Sequence, residues 1–258
     1  MRVLYWNIRG IGNPQSRMEL LNICRTHKLD YVCISEPMVN LTSILVTFWN
    51  SIGLQLISCN VRDGSSPNIW LFGSTSLPMP SVVHCSSQQI TIMASHDNSN
   101  CYLSFVYASN SSAQRRILWQ ELVDVSNSIH DPFMVIGDFN AILGAHEKHG
   151  GRMPSRTSCT DFQNMVDTCN FMHLHYTGNL ETWSNGSRLQ DRIEERLDRA
   201  LCNLGWIHFW PISKYLVLPR TISQCQWFLL LKLGLPACSF GPFFDARMLV
   251  SRQNGVLK

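Results

Sequence analysis

The chain has 258 residues, of which 45% are hydrophobic and 15% are charged, and its formal net charge is +3. This composition supplies a sizeable core and excludes an intrinsically disordered chain. The weak positive charge permits a nucleic-acid partner without arguing for one. The most apolar run, at positions 228–235, is far shorter than the ~20 residues of a membrane span, so we expect no membrane protein.

The ten cysteines are scattered, and no Cys-x-x-Cys pair occurs. This spacing predicts neither a disulfide framework nor a structural zinc site, so we expect no disulfide-linked partner. The first ten residues are polar and aromatic, without the apolar segment of a signal peptide. We therefore expect a reduced, intracellular chain.

The first part of the chain alternates apolar strands with a helix. Residues 3–8 predict a strand, and Asn13 with Pro14 then supplies an N-cap followed by proline at the first helical position. Residues 31–35 predict a second buried strand. Between positions 54 and 107 short apolar runs alternate with Gly, Pro, Ser and Asn, which is typical of an antiparallel sheet. The predicted strands there are 54–59, 69–72, 89–93 and 103–107.

The second part repeats this alternation. Helices are predicted at 113–129 and 160–169, and strands at 133–136, 196–201 and 215–218. No repeat or long linker interrupts the series, so we predict one domain over residues 1–220. From position 221 the periodicity is poor and matches no regular element, which predicts a divergent tail at 221–258. The pattern favours two sheets packed face to face with helices outside.

Polar residues stand at the ends of several predicted strands, where such scaffolds carry their chemistry. They are Asn7, Glu36, Asp138 with Asn140, and Asp198. A hard divalent cation prefers carboxylate oxygens together with substrate phosphate. A further carboxylate is suited to deprotonating a water molecule. The set supports metal-assisted hydrolysis, although each residue taken alone is more commonly a strand-end cap.

Six short motifs follow one another along residues 1–220 in an order that carries a resemblance. The motifs are Trp6-Asn7-Ile8-Arg9-Gly10, Ser35-Glu36-Pro37, Val106-Tyr107, Gly137-Asp138-Phe139-Asn140, Thr182-Trp183 and Arg196-Leu197-Asp198-Arg199. Their order and spacing resemble the endonuclease/exonuclease/phosphatase superfamily, and they are most similar to the endonuclease domain of plant LINE-type (non-LTR) retrotransposon polyproteins.

The resemblance implies both a fold and an activity. The fold is an α/β (α+β) four-layer sandwich, in which two mostly antiparallel sheets pack together and are flanked by helices. The activity is that of a phosphodiesterase that depends on Mg²⁺ (or Mn²⁺) and nicks DNA, which places a functional copy in the nucleus.

The resemblance also implies residue roles. Glu36 matches the principal metal-binding carboxylate, with Asn7 beside it. Asp138 matches the aspartate that activates the attacking water, and Asn140 the residue that holds the water or phosphate. Tyr107 matches the tyrosine that contacts the scissile phosphate or the leaving group.

The end of the matching region departs from the family pattern. Thr182 and Trp183 match a loop that shapes the pocket and the DNA contact, and Asp198 matches the aspartate that orients a catalytic histidine. The family carries that histidine in a Ser-Asp-His motif, but Gln224 and Cys225 stand where Asp-His is expected. No acidic residue lies between positions 198 and 245, and no histidine follows position 208, so no realignment restores the pair.

This departure leaves three hypotheses. The first is a DNA endonuclease derived from a retroelement, with weak or absent hydrolysis because a transition-state donor is missing. The second is a catalytically inactive relic that binds metal or nucleic acid. A more distant third is a phosphatase acting on small phosphate esters.

Two histidine pairs are candidates for a second metal site. His146 and His149 flank Glu147, but the segment runs into two glycines, so we expect a solvated loop. His173 and His175 share one face of a strand, for which a structural or surface role is the better interpretation.

Overall fold

A computed structural model describes residues 1–96, 99–186 and 191–218, together with the backbone of 228–232. The helices are α1 (Pro14–His27), α2 (Val46–Ser51), α3 (Ser112–Ser128), α4 (Arg156–Thr168) and α5 (Leu204–Phe209). The strands are β1 (Arg2–Asn7), β2 (Tyr31–Ser35), β3 (Leu54–Cys59), β4 (Ile69–Ser74), β5 (Ser81–Cys85), β6 (Gln89–His96), β7 (Ser99–Tyr107), β8 (Phe133–Asp138), β9 (Lys148–His149), β10 (Met172–His173), β11 (His175–Thr177), β12 (Trp183–Ser184), β13 (Glu194–Glu195), β14 (Asp198–Cys202), β15 (Lys214–Leu218) and β16 (Phe228–Lys232).

The described strands form two large sheets and one small one. The first large sheet has the order β11-β15-β16-β1-β2-β4-β3, and the second has the order β10-β14-β8-β7-β6-β5. The small sheet is β12-β13-β9. The pairs β1–β2, β7–β8 and β11–β15 are parallel, and the other described pairs are antiparallel.

The core lies on both faces of each large sheet, because successive side chains of a strand point to opposite faces. Tyr5 of β1 faces the second sheet and belongs to the central cluster with Phe105 of β7. Trp6 faces outward and packs in the cluster that contains Leu20 of α1. A third cluster joins Val135 of β8 to α3 and α4. The prediction of sheets flanked by helices is confirmed.

Local signals explain two of these elements. Asn13 caps α1, since its side chain accepts a hydrogen bond from the backbone of Gln15 at 2.9 Å, with Pro14 at the first helical position, as predicted. Gly137 lies opposite Val106 where β7 and β8 run parallel. A Cβ atom at Gly137 would lie 2.0 Å from the carbonyl oxygen of Val106, so only glycine fits before Asp138.

Three sequence-based expectations need correction. The prediction of no regular element after position 221 is wrong for 228–232, because the backbone there pairs with both β1 and β15. Those neighbours are distant in sequence, so the local pattern did not reveal them. Helix α4 begins four residues earlier than predicted, with Ser155 as its cap. Strand β5 was missed because its Val82 and Val83 are exposed and show no alternation. The boundary at residue 220 stays a prediction.

Two further features bear on the class of protein. No helix in residues 1–96, 99–186 and 191–218 is long and apolar enough to cross a membrane. The cysteines of these ranges are free thiols. Burial raises the pKa of several, including Cys101 to about 12, so they act as small core residues rather than nucleophiles.

Candidate active site

Four polar side chains meet where strands from both large sheets end. Asn7 is the last residue of β1 and lies beside Ser35, the last residue of β2, so Glu36 leaves the sheet next to it. Tyr107 and Asp138 end β7 and β8 and are register partners in that parallel pair. Because the carboxyl ends of neighbouring parallel strands lie at one edge, the topology itself gathers these residues.

Direct hydrogen bonds join the four side chains. The Asn7 amide Nδ2 donates to Glu36 Oε1 and to Asp138 Oδ2, each at 3.2 Å. The Tyr107 hydroxyl donates to Glu36 Oε1 at 2.7 Å. Arg9 Nε lies 3.5 Å from the other Glu36 oxygen, Oε2. The structure therefore brings together Asn7, Glu36, Tyr107 and Asp138, four of the residues that the sequence singled out.

Asn140 completes this cluster from the turn after β8. Its backbone N–H donates to Asp138 Oδ1 at 2.9 Å, and its side chain donates to the carbonyl of Ala108 at 2.6 Å. Asn140 and Glu36 both adopt left-handed backbone conformations, with φ of 45° and 50°. Such conformations cost about 1–3 kcal/mol each in a non-glycine residue and collect at functional sites.

The cluster perturbs the protonation of two of its members. Burial raises the pKa of Asp138 to about 6; the Glu36 charge adds to this, and hydrogen bonds from Asn140 and Asn7 oppose it. Burial, followed by the hydrogen bond to Glu36, raises the pKa of Tyr107. Tyr107 is therefore a donor at neutral pH, whereas Asp138 changes charge close to neutrality.

Asp198 lies beside the cluster without joining its hydrogen bonds. It is the register partner of Asp138 across the antiparallel pair β8–β14. The hydroxyl oxygen of Thr182 accepts hydrogen bonds from the backbone of Leu197 at 3.0 Å and of Asp198 at 2.8 Å. Oδ1 of Asp198 is buried and has no hydrogen-bond partner within the described residues. Burial and then the charge of Asp138 raise the pKa of Asp198 well above its usual range.

The remaining predicted residues are placed less centrally or not described. Trp183 is half-buried in β12, opposite Glu195, and in the described part of the chain no hydrogen bond or ring contact joins it to the cluster. Gln224 and Cys225 lie outside the described residues.

A buried ion pair next to the site was missed by sequence reasoning. Arg199 is fully buried, and its guanidinium donates to both Glu147 oxygens, at 3.0 and 2.9 Å. Burial alone would raise the pKa of Glu147, but the charge and hydrogen bonds of Arg199 outweigh it and lower the pKa. An arginine inside an otherwise buried strand was the available signal, because such a charge requires a partner.

The structure corrects the expectation that the segment around Glu147 is a solvated loop. His146 and His149 are exposed, as expected, but Glu147 is only 3% exposed. It ends a short 3-10 turn, and its carboxylate also accepts a hydrogen bond from the backbone of Leu143 at 2.8 Å. Glu147 is thus part of the support of β14 rather than a surface group.

The cluster opens into a cleft of about 680 Å³. Glu36 and Tyr107 line this cleft, and Arg9 and Arg62, which also line it, contribute positive charge. Asn140 faces a neighbouring cleft of about 370 Å³ that also contains Arg152. A polar, cationic cleft beside carboxylates suits an anionic substrate with a metal.

The side chains of this cluster suit a hard cation such as Mg²⁺ better than a metal site formed by protein ligands alone. Within the three described ranges no group of three or more His, Cys, Asp or Glu residues surrounds one point. Mg²⁺ does not need such a group, since it usually takes one or two carboxylates, waters and substrate phosphates. Glu36 supplies a carboxylate at the cleft, and Asn7 Oδ1 is a buried acceptor with no hydrogen-bond partner in the described residues.

Comparisons with known proteins give the family. The model of the endonuclease/exonuclease/phosphatase family matches residues 4–219. The chain belongs to this family. Membership confirms the resemblance to the endonuclease/exonuclease/phosphatase superfamily, and it supports a domain of phosphodiesterase or endonuclease type. A search among curated proteins finds no match.

Several solved nuclease structures share this fold at low sequence identity. The endonuclease domain of TRAS1, a telomere-specific non-LTR retrotransposon, is 13% identical with a TM-score of 0.67, covering 91% of this chain and 98% of that one. A 3'-5' exonuclease from Neisseria meningitidis is 14% identical with a TM-score of 0.67, covering 90% and 99%. An AP endonuclease from Archaeoglobus fulgidus is 11% identical with a TM-score of 0.65, covering 91% and 100%.

Proposed function

We propose that this chain is a divalent-metal-dependent DNA endonuclease domain derived from a LINE-type retroelement, and that its activity is impaired. The observation that carries the proposal is the hydrogen-bonded cluster of Asn7, Glu36, Tyr107 and Asp138 at a cleft lined by arginines. Family membership and the similarity to nuclease structures support the reaction class. The plant origin rests on the sequence motifs alone.

Glu36 and Asn7 are the residues that would hold Mg²⁺ or Mn²⁺. The ion, when bound, polarises a phosphoryl oxygen and offsets the negative charge that develops there. Tyr107 stays protonated, so its hydroxyl fixes one Glu36 oxygen and can also face the phosphate. Arg9 and Arg62 attract the anionic backbone of DNA into the cleft.

Asp138 is the proposed base for the attacking water. Its pKa of about 6 leaves it mostly ionised near pH 7, yet close enough to neutrality to accept a proton effectively. The amide of Asn7 and the backbone of Asn140 hold the two carboxylate oxygens in fixed directions. The Asn140 amide is tied to Ala108, so Asn140 acts mainly by positioning this turn.

The proposed impairment concerns the Asp198 side of the site. In the family pattern Asp198 pairs with a histidine, and Cys225 stands at that position instead. The proposed impairment rests on the sequence at positions 224 and 225; within the described residues, which do not include these two, Oδ1 of Asp198 has no hydrogen-bond partner. Loss of one transition-state donor costs about 3–4 kcal/mol in comparable sites, or roughly 10²–10³ in rate. Thr182 and Trp183 remain candidates for the substrate-facing loop.

The replacement of the family histidine by Cys225 also keeps a second candidate open, a non-catalytic relic that binds metal or DNA without turnover. Nicking of supercoiled plasmid with Mg²⁺ separates the two. We expect weak nicking by the natural chain, about 10²-fold faster nicking after Gln224→Asp/Cys225→His, and none when Asp138→Asn is added to that repair.

Each outcome of this assay favours a different hypothesis. Full-rate nicking by the natural chain that Asp138→Asn abolishes would show that the impairment is wrong. No nicking by the repaired chain, despite normal folding, would favour the relic. Hydrolysis of a small phosphate monoester without nicking would favour the phosphatase. A reverse transcriptase reading frame in the flanking genomic DNA is expected if the retroelement origin is correct.

A further inference from the structure

The cleft of about 370 Å³ beside Asn140 contains none of the four hydrogen-bonded residues of the candidate site, and the proposed reaction does not use it. The charged residues that line it are Arg115, Lys148, Arg152 and Glu195. Lys148 and Glu195 form an ion pair with each other. Three positive charges and one negative charge therefore leave the described lining with an excess of two positive charges.

Arg115 is a buried cation that forms no ion pair with a carboxylate of the described residues. One guanidinium nitrogen donates to the carbonyls of Ser109 and Asn110, each at 2.9 Å, and the other terminal nitrogen donates to Ser158 Oγ at 2.8 Å. A guanidinium has five N–H groups, so these three bonds fix its position and leave two N–H groups for another acceptor. Because a buried charge is costly without an opposite one, Arg115 is suited to an anion from outside the chain.

The amino-terminal end of helix α3 borders the same cleft. Ser112, the first residue of this 17-residue helix, lines the cleft. Ser111, at the N-cap position, forms no side-chain capping hydrogen bond, and the first turn contains no acidic residue. The first N–H groups of a helix lack intrahelical acceptors and carry the positive end of its dipole, so they stabilise an anion. The helix end thus adds backbone donors to the charge of Arg115.

Arg152 supplies an accessible cation to the cleft. Its side chain is exposed, and in the part of the chain that the structure describes it forms neither a hydrogen bond nor an ion pair. Arg115 and Arg152 therefore differ in mobility but present the same group. The planar guanidinium matches the oxygens of a phosphate, which it binds through two parallel hydrogen bonds. The chemistry of the cleft points to a phosphate rather than to a small carboxylate.

We propose that the cleft formed by Arg115, Arg152 and the start of α3 is a second phosphate subsite, which binds a backbone phosphate of the DNA strand beyond the one that is cleaved. The inference rests on the proposed function for DNA as the carrier of this phosphate. Asn140 lines the cleft, and its backbone N–H binds Asp138, so the subsite adjoins the candidate site. A polynucleotide can occupy both places, whereas a small phosphate ester fills only one. The subsite therefore favours DNA over small esters.

Two substitutions, each with a matched control, test the subsite in the full chain carrying Asp138→Asn, so that DNA is not cleaved. Ser112→Glu places a carboxylate where the anion binds and also suits the helix dipole, so the variant is expected to fold. Asn127→Glu adds the same charge to the last turn of α3, which does not line the cleft. Arg152→Gln removes the accessible cation, and Arg156→Gln removes an exposed arginine outside the cleft.

Binding of inorganic phosphate and of a short DNA duplex is measured for each variant. Phosphate is titrated while nuclear magnetic resonance follows the backbone amide signals, and those of Ser112 and Ala113 are expected to shift. Ser112→Glu should abolish phosphate binding at this end of α3 and weaken DNA binding about tenfold, while its thermal unfolding midpoint stays equal or rises. Arg152→Gln should lower the slope of DNA affinity against salt by about 0.9, the value of one phosphate contact. Both controls should leave phosphate binding unchanged.

Other outcomes overturn the inference. A folded Ser112→Glu variant that binds phosphate and DNA normally would show that no anion is bound at this end of α3. Equal losses of DNA affinity in Ser112→Glu and Asn127→Glu would show that only the net charge matters. Failure of the proposed function looks different: phosphate still shifts the signals of α3 and Ser112→Glu still abolishes these shifts, but the natural chain does not bind DNA. That result keeps the phosphate subsite and overturns DNA as the carrier.

Discussion

Two buried carboxylates of this chain, Glu147 and Asp138, are treated in opposite ways. Glu147 lies between the small sheet and β14, and both of its oxygens are bound by Arg199, which lowers its pKa. Asp138 lies at the end of β8 near Glu36 and opposite Asp198, and its pKa is raised to about 6. An arginine therefore neutralises the buried charge of Glu147, which supports β14. At the proposed catalytic site, by contrast, several carboxyl groups lie close to Asp138. Perturbed carboxylates of the second kind mark functional sites.

The comparison predicts that a substitution at Glu147 mainly lowers the free energy of unfolding. Glu147→Gln leaves the Arg199 charge buried and without its anionic partner, and we expect a loss of about 3–5 kcal/mol in the free energy of unfolding. Urea denaturation monitored by tryptophan fluorescence measures it. Asp161→Asn is the control, because it removes an exposed ion pair with Arg116 and should cost less than about 1 kcal/mol. Equal losses in the two variants would remove the distinction between the regions.

Thr182→Val tests how β14 is held beneath the site. The substitution keeps the shape but removes an oxygen that accepts from two buried backbone N–H groups, those of Leu197 and Asp198. Leaving buried donors unpaired costs about 1–3 kcal/mol each, so we expect a loss of about 2–4 kcal/mol in urea denaturation. Thr182→Ser retains the acceptor and is the control. A Val variant as stable as the Ser variant would show that these hydrogen bonds contribute little.

Asp138→Asn should increase stability while it abolishes activity. In the unfolded chain Asp138 ionises near pH 3.8, and in the folded chain near pH 6. Folding therefore takes up a proton between these values, so the natural chain loses stability as pH rises from about 4 to 6 and levels off above. The Asn variant escapes this loss of about 2–3 kcal/mol, at 1.36 kcal/mol per pKa unit.

The pH dependence separates this effect from general stabilisation. The difference between the natural chain and Asp138→Asn should be near zero at pH 4 and reach its full size by about pH 7, in parallel urea titrations. A constant difference across that range, or a less stable variant at pH 8, would contradict a raised Asp138 pKa.

Much of the site could be predicted from the sequence because its residues occupy strand ends. Apolar runs ending in Asn7, Glu36, Tyr107 and Asp138 indicated buried strands, and parallel neighbours bring such ends to one edge of a sheet. The family motifs added roles that periodicity alone could not assign. Trp183 was harder, because a motif does not state whether its loop reaches the other residues.

Only the tertiary structure decided how the charges are distributed. That Arg9 contacts the same carboxylate as Asn7 and Tyr107, that Arg199 is paired with Glu147, and that β16 lies between β1 and β15 are contacts between residues far apart in the chain. Sequence sets the identity of each ionisable group, but burial and neighbouring charge set its pKa, and both depend on the packed fold. The sequence by itself therefore determined the family and the strand-end carboxylates, whereas the fold determined that Arg199 neutralises Glu147 and that the pKa of Asp138 is raised.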